Sequence, residues 1–130
     1  MTGRALVFDT SYFVQLFYSK DASRLRHLKR LAQSSAPKWI SAITLIEMYK
    51  ISAEIDGTEA AESRGSLIQQ DFKVKPVDAD IATVAANLQA TRGLSGPQSI
   101  IAATAITLEA TCITDDESIR KLGRPPTKWI

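Results

Sequence analysis

Four stretches of the chain place acidic or amide side chains where an apolar, strand-like run gives way to a helical pattern: FDTSYF at Asp9, SAITLIEMYK at Glu47, GPQSIIAATAI at Gln98 and TDDESI at Asp115 and Asp116. Side chains from separate strand ends can meet at one edge of a parallel sheet, in the crevice where ligands bind. Carboxylates gathered there suit a divalent cation, because hard cations take oxygen ligands. Gln98 is neutral and a weak metal ligand, but its amide can bond phosphate, water or substrate. Each position also has a structural reading. Asp9 is a favoured N-cap, and one of Asp115 and Asp116 is expected to cap a helix, leaving the other free. Thr44-x-x-Glu47 and Ser95-x-x-Gln98 both fit the capping box. If the helix instead begins near Ser41, Glu47 falls in its second turn, where an acid between Ile46 and Met48 needs a partner. Thr10 and Ser11 add hydroxyls able to bond Asp9 or a metal-held water.

The elements that would position these groups alternate between short strands and helices. Ala5–Phe8 is an apolar run that suits a buried strand. Ser11–Tyr18 reads as helical. Leu25, Leu28, Leu31 and Ala32 line one face of a second helix, with basic residues opposite. Lys38–Ala42 reads as a strand and Ile43–Ile55 as a helix, ended by Asp56-Gly57. Glu59–Gln70 is a further helix, Phe72–Val77 a short strand, and Asp78 an N-cap for a helix running to Arg92. Gly93–Pro97 reads as a loop and lacks the Gly-Lys-Ser/Thr ending of a phosphate-cradling P-loop. Ser99–Glu109 is a strongly apolar helix, Thr111–Thr114 a buried strand, Asp116–Leu122 a short helix, and the tail around Trp129 a last strand. This alternation predicts a three-layer α/β domain with a mainly parallel sheet, in a single domain over residues 1–130.

Composition narrows the class. The chain has 130 residues, 45% of them apolar, and a net charge of +2, so overall charge does not by itself announce a nucleic-acid binder. Between Lys20 and Arg30, however, Lys20, Arg24, Arg26, Lys29 and Arg30 stand against one acid, Asp21. That run suits phosphates and equally a solvated helix face. His27, within it, has no partner at ligand spacing and reads as a surface residue. Cys112 is the only cysteine, which excludes an intrachain disulfide and a cysteine-built zinc site. It sits in the apolar run TCIT, where burial is expected. The stretch ALVF is too short for a signal peptide, and no segment approaches the roughly 20 apolar residues of a membrane span. A soluble, cytoplasmic protein is the expectation.

Taken with their spacing, VFDTSYFVQLF, ISAITLIEMYK and LSGPQSIIAATAITLEATCITDD resemble the PIN domain family, in particular its small VapC-type toxin ribonucleases, over nearly the whole chain. The resemblance implies a Rossmann-like α/β/α fold, a cluster of three or four acids binding Mg²⁺ or Mn²⁺, and cleavage of RNA. By motif, Asp9 matches the first acid, Glu47 the second, and Asp116 the acid after the late strand, with Asp115 its neighbour. The slot before Ile-Ala-Ala-Thr-Ala, an Asp in the family, holds Gln98. The resemblance thus implies Asp9, Glu47, Asp116 and Asp115 as metal-binding residues and Gln98 as a group positioning water or phosphate. Ser11 and Thr104 are the expected supporting hydroxyls. RNA would be held by Arg24, Arg26, Lys29 and Arg30, joined by Lys50. It further implies a homodimer and an antitoxin partner. A catalytically silent member that only binds RNA or protein is the alternative, favoured by Gln98. A response-regulator receiver would need a pair of acids after the first strand and a mid-chain phosphoacceptor Asp, and Phe8-Asp9-Thr10 has no such pair; a dehalogenase-type phosphatase would need a second Asp two residues after the first, where Ser11 stands.

Overall fold

The structure, a computed structural model, describes residues 4–130. Five short strands, β1 Leu6–Phe8, β2 Lys38–Ser41, β3 Lys73–Lys75, β4 Thr111–Thr114 and β5 Thr127–Trp129, form one sheet in the order β3-β2-β1-β4-β5. Every pairing is parallel. The intervening helices are α1 Thr10–Tyr18, α2 Ala22–Ala32, α3 Ala42–Asp56, α4 Thr58–Asp71, α5 Ala79–Arg92, α6 Gly96–Thr107 and α7 Glu117–Arg120.

Successive strand residues point to opposite faces of a sheet, and the apolar strands use both. Phe8, Ile40 and Ile113 pack against Tyr12, Phe13 and Leu28 of α1 and α2 and Ile68 of α4. Val7 and Cys112, one residue out of phase, pack on the other face against Ile101, Ala102 and Ala105 of α6. Ile81 and Ala85 of α5 cover Ala103 on the outer side of α6. The small side chains of IIAATA thus let α6 lie between the sheet and α5, which accounts for its apolar character all round.

Tyr12 and Phe13 are core residues, exposed by 0% and 1%. They form an edge-to-face cluster with Phe8 and Phe72, with ring centroids 4.8–5.1 Å apart. The Tyr12 hydroxyl donates to the Leu28 carbonyl at 2.7 Å and so ties α1 to α2. Burial pushes its phenol up to about 12. Tyr12→Phe should therefore cost about 1 kcal/mol, read as a lower urea midpoint; an unchanged midpoint would contradict the bond's role.

The structure moves several expected boundaries. Ala42 opens α3 and does not end β2, because the Ser41 hydroxyl accepts the Ile43 amide at 3.2 Å and caps the helix. Gly96 and Pro97 belong to the first turn of α6, with Ser95 as N-cap. Proline suits such a turn because the first helical amides lack helical partners. Helix α7 begins at Glu117 and ends at Arg120, with Asp116 as its cap.

Candidate functional site

The chain runs outward from β1 to β2 and β3, then returns to lay β4 on the other side of β1. The crevice beyond the carboxyl ends of β1 and β4 is therefore a topological switch point, where open α/β sheets bind ligands. The register pairs Phe8 with Ile113, so the next residues, Asp9 just past β1 and Thr114 at the end of β4, lie side by side.

Asp9 is 1% exposed and occupies the N-cap position of α1 without a side-chain capping bond. Its Oδ2 instead accepts from Thr114 Oγ1 at 2.7 Å and Ser11 Oγ at 3.3 Å. The Thr114 hydroxyl also accepts the Asp116 amide at 2.9 Å, joining the two strand ends. Burial raises the Asp9 carboxyl from 3.8 to about 6; bonds from Thr114, the Thr10 backbone and Ser11 oppose the rise, and the charge of Asp116 adds to it. None of the ion pairs among the described residues involves Asp9.

Asp116 is half-buried and bonded on both oxygens. Oδ1 accepts from Ser118 Oγ and, at 3.1 Å, from the Ile119 amide; Oδ2 accepts a short bond from Gln98 Nε2. Burial raises this carboxyl, but the Ser118, Gln98 and Ile119 donors outweigh it and hold Asp116 below the ordinary range. Gln98 thus makes only half of a capping box. Its amide accepts nothing back from Ser95, whose hydroxyl accepts the Gln98 backbone N–H at 3.4 Å. Glu47 is not a capping-box residue either. With Ser41 as the cap it lies in the second turn of α3, where Thr10 Oγ1 donates to it at 2.6 Å and contacts Thr44 Oγ1 at 3.0 Å.

Of the remaining expected residues, Asp115 is exposed and accepts from Gln15 Nε2 at 2.9 Å, while Gln15 Oε1 accepts from Arg24 Nε at 2.6 Å. Thr104 is buried, and its hydroxyl donates to the Ile100 carbonyl of its own helix. Arg26, Lys29 and Arg30 are exposed on α2 and Arg24 is half-buried. Cys112 is fully buried; burial, then the charges of Asp9 and Asp116, push its thiol well up. Among the described residues no group of three or more His, Cys, Asp or Glu side chains stands ready to hold a metal, so the four-acid cluster is not assembled. A carboxylate pair, Asp9 and Asp116, stands with Gln98 between strand ends, and Glu47 joins through Thr10. Thr114 and Gln15 bond the expected residues Asp9 and Asp115 and are not among those the sequence singles out. Thr114 closes the apolar run TCIT directly before Asp115, a position that could have marked it.

Asp9 also makes a prediction about stability. The unfolded carboxyl ionises near 3.8 and the folded one near 6, so between those values the folded chain holds more protons and stability falls as pH rises. The decline due to Asp9 is on the order of 3 kcal/mol between about pH 4 and pH 7. Urea denaturation of wild type and Asp9→Asn across that range should diverge by this amount, with the variant gaining relative to wild type as pH rises. Parallel curves would show that Asp9 ionises normally.

A PIN domain model matches residues 6–125. The chain belongs to the PIN domain family. Solved structures similar to this PIN chain include VapBC-1 from nontypeable Haemophilus influenzae, with a TM-score of 0.77, 18% identity, and 95% of this chain and 96% of that one covered. A toxin–antitoxin complex from Klebsiella pneumoniae has a TM-score of 0.74 and 24% identity, with 95% of each chain covered. VapC20 from Mycobacterium tuberculosis, a toxin that cleaves the sarcin-ricin loop, has a TM-score of 0.75, 22% identity, and 91% and 95% coverage. At these identities the likeness shows a shared fold. No curated protein matches the sequence. No helix among the described residues is long and apolar enough to cross a membrane.

Proposed function

We propose that this PIN chain is a metal-dependent ribonuclease and the toxin of a toxin–antitoxin pair. The observation that carries the reading is the Asp9 carboxyl, buried at the switch point, bonded only by hydroxyls and a backbone amide, and raised to about 6 beside the charge of Asp116. A carboxylate pair fits one largely hydrated Mg²⁺ or Mn²⁺, since such ions commonly rest on one or two carboxylates and keep several waters. It does not fit two ions. When bound, the cation would activate a water and neutralise phosphate oxygens. Asp9 and Asp116 would hold it, Glu47 would act through a water, and Asp115 would stand at the rim. Thr114 and Ser11 orient Asp9. Gln98, freed from Asp116, would bond a phosphate oxygen or water, while Arg24, Arg26, Lys29 and Arg30 would bind the RNA backbone.

Protein partners have support of another kind. Ile46 of α3 is exposed by 68% and lines a concave surface with Ile43, Ile51 and Pro97, apolar ground of the sort that antitoxin binding or homodimerisation would cover. One structural neighbour is a toxin–antitoxin complex and another a member of the VapBC family of toxin–antitoxin systems. A second reading, a silent module that binds without cutting, is favoured by the Gln98 amide, which already satisfies the Asp116 carboxylate. Incubating a labelled RNA panel with the chain separates the two. Fragments in Mn²⁺ that disappear in EDTA support the nuclease, and intact RNA in both overturns it.

A further inference from the structure

A second concave site lies on the α2 face of the sheet, sharing no residue with the carboxylate pair. It is a cavity of about 340 Å³. Leu6, Leu31 and Ile113 supply its apolar floor, and His27, Arg30, Ser34 and Lys128 its polar groups. His27, Arg30 and Leu31 share one face of α2, and Ser34 follows just beyond its end. Lys128 comes from β5, where it pairs in register with Ile113 and so shares its face of the sheet. Ser34 Oγ accepts the Ala36 amide at 3.2 Å, which leaves its hydroxyl proton free to donate outward.

No carboxylate lines this cavity. Arg30 and Lys128 form none of the ion pairs found among the described residues. Arg30 also lies in the last turn of α2, where a cation offsets the helix dipole. That role does not explain Lys128, which reaches the same space from a different element. The roughly half-unit negative charge at the α2 terminus opposes an anion there, and two full positive charges outweigh it. An arginine, a lysine and a hydroxyl lining one cavity make a donor set suited to phosphate. The volume falls at the lower end of the range for small-molecule sites, about 300–1,000 Å³, and the apolar floor gives a bare ion nothing to cover. The geometry points to a binding site for a phosphate monoester on an apolar body, of the nucleotide class, between α2 and β5. Its source is either a free mononucleotide or the phosphorylated end of an RNA. The inference adds to the nuclease reading and stands without it.

His27 is the chain's only histidine, so its imidazole resonances are an isolated reporter at the cavity. The full chain, kept in EDTA so that cleavage plays no part, is titrated with inorganic phosphate, a mononucleotide, and a short RNA with and without a terminal phosphate. The expected result is a saturable His27 shift with the mononucleotide or the phosphorylated RNA, weakened by about tenfold or more in Lys128→Gln and in Arg30→Gln/Lys128→Gln. Saturation by the mononucleotide assigns the free ligand, and saturation by phosphorylated RNA alone assigns the RNA end. Urea curves confirm that the variants fold. The absence of a saturable shift in wild type, an equal saturable shift with both RNAs, or a shift that persists unchanged in the folded variants would each overturn the inference.

Discussion

Asp9→Asn is expected to abolish metal-dependent RNA cleavage, lowering the rate by well over about 100-fold, since even partners that merely orient a metal's ligands are worth about 10–100-fold. The substitution keeps shape and removes charge. Asp9 is the one site carboxylate that is fully buried, so its ionised form is the one most in need of a cation. The amide would keep a bond with Thr114 while losing attraction for Mn²⁺. Because the same change relieves buried charge, the variant should be at least as stable as wild type near neutral pH. Loss of cleavage with stability retained separates a site effect from a folding effect. Cleavage at the wild-type rate would remove Asp9 from the chemistry.

Gln98→Asp is expected to act in the opposite direction on metal and on stability. It would return an acid to the slot before Ile-Ala-Ala-Thr-Ala and replace the bond to Asp116 with repulsion between like charges. The metal-free variant should lose stability. Mn²⁺ affinity should rise by about tenfold or more, because the number of charged ligands tunes affinity for hard cations. Cleavage should rise with it. If wild type is inert and this variant cuts, Gln98 is what silences the chain. Unchanged Mn²⁺ affinity, read by calorimetry, would show that position 98 lies outside the cation's reach.

Much of this arrangement was legible along the chain, since local signals set local structure. The apolar run before Asp9 and the alternation of short strands with helices led to a parallel sheet with Asp9 at its edge. The parallel sheet itself is seen in the register of β1 with β2 and β4. The ambiguity at Glu47 turned on which residue caps α3. Ser41, Thr44 and the spacing to Glu47 permitted two starts, and the burial of Thr44 on α3 accompanies the earlier one. What could not be read was set by contacts between distant segments. Gln98 meets Asp116 across 18 positions and Thr114 meets Asp9 across 105; both follow from β4 crossing to the far side of β1. Asp115 looked free for chemistry because its partner, Gln15, lies on another element. Sequence alone leaves Tyr12 and Phe13 open between core and interface, because Phe72, which helps enclose them, lies some sixty positions away.

Localising a divalent cation on the wild-type chain tests the nuclease reading at its source. Mn²⁺ titrated into isotope-labelled protein broadens backbone resonances by proximity. A single cation between Asp9 and Asp116 predicts that Thr10, Ser11, Thr114 and Glu117 broaden first and together, and that they stay sharp at the same Mn²⁺ in Asp9→Asn. Broadening that begins at exposed acids such as Glu59 and Glu62, or that is the same in both proteins, would contradict it.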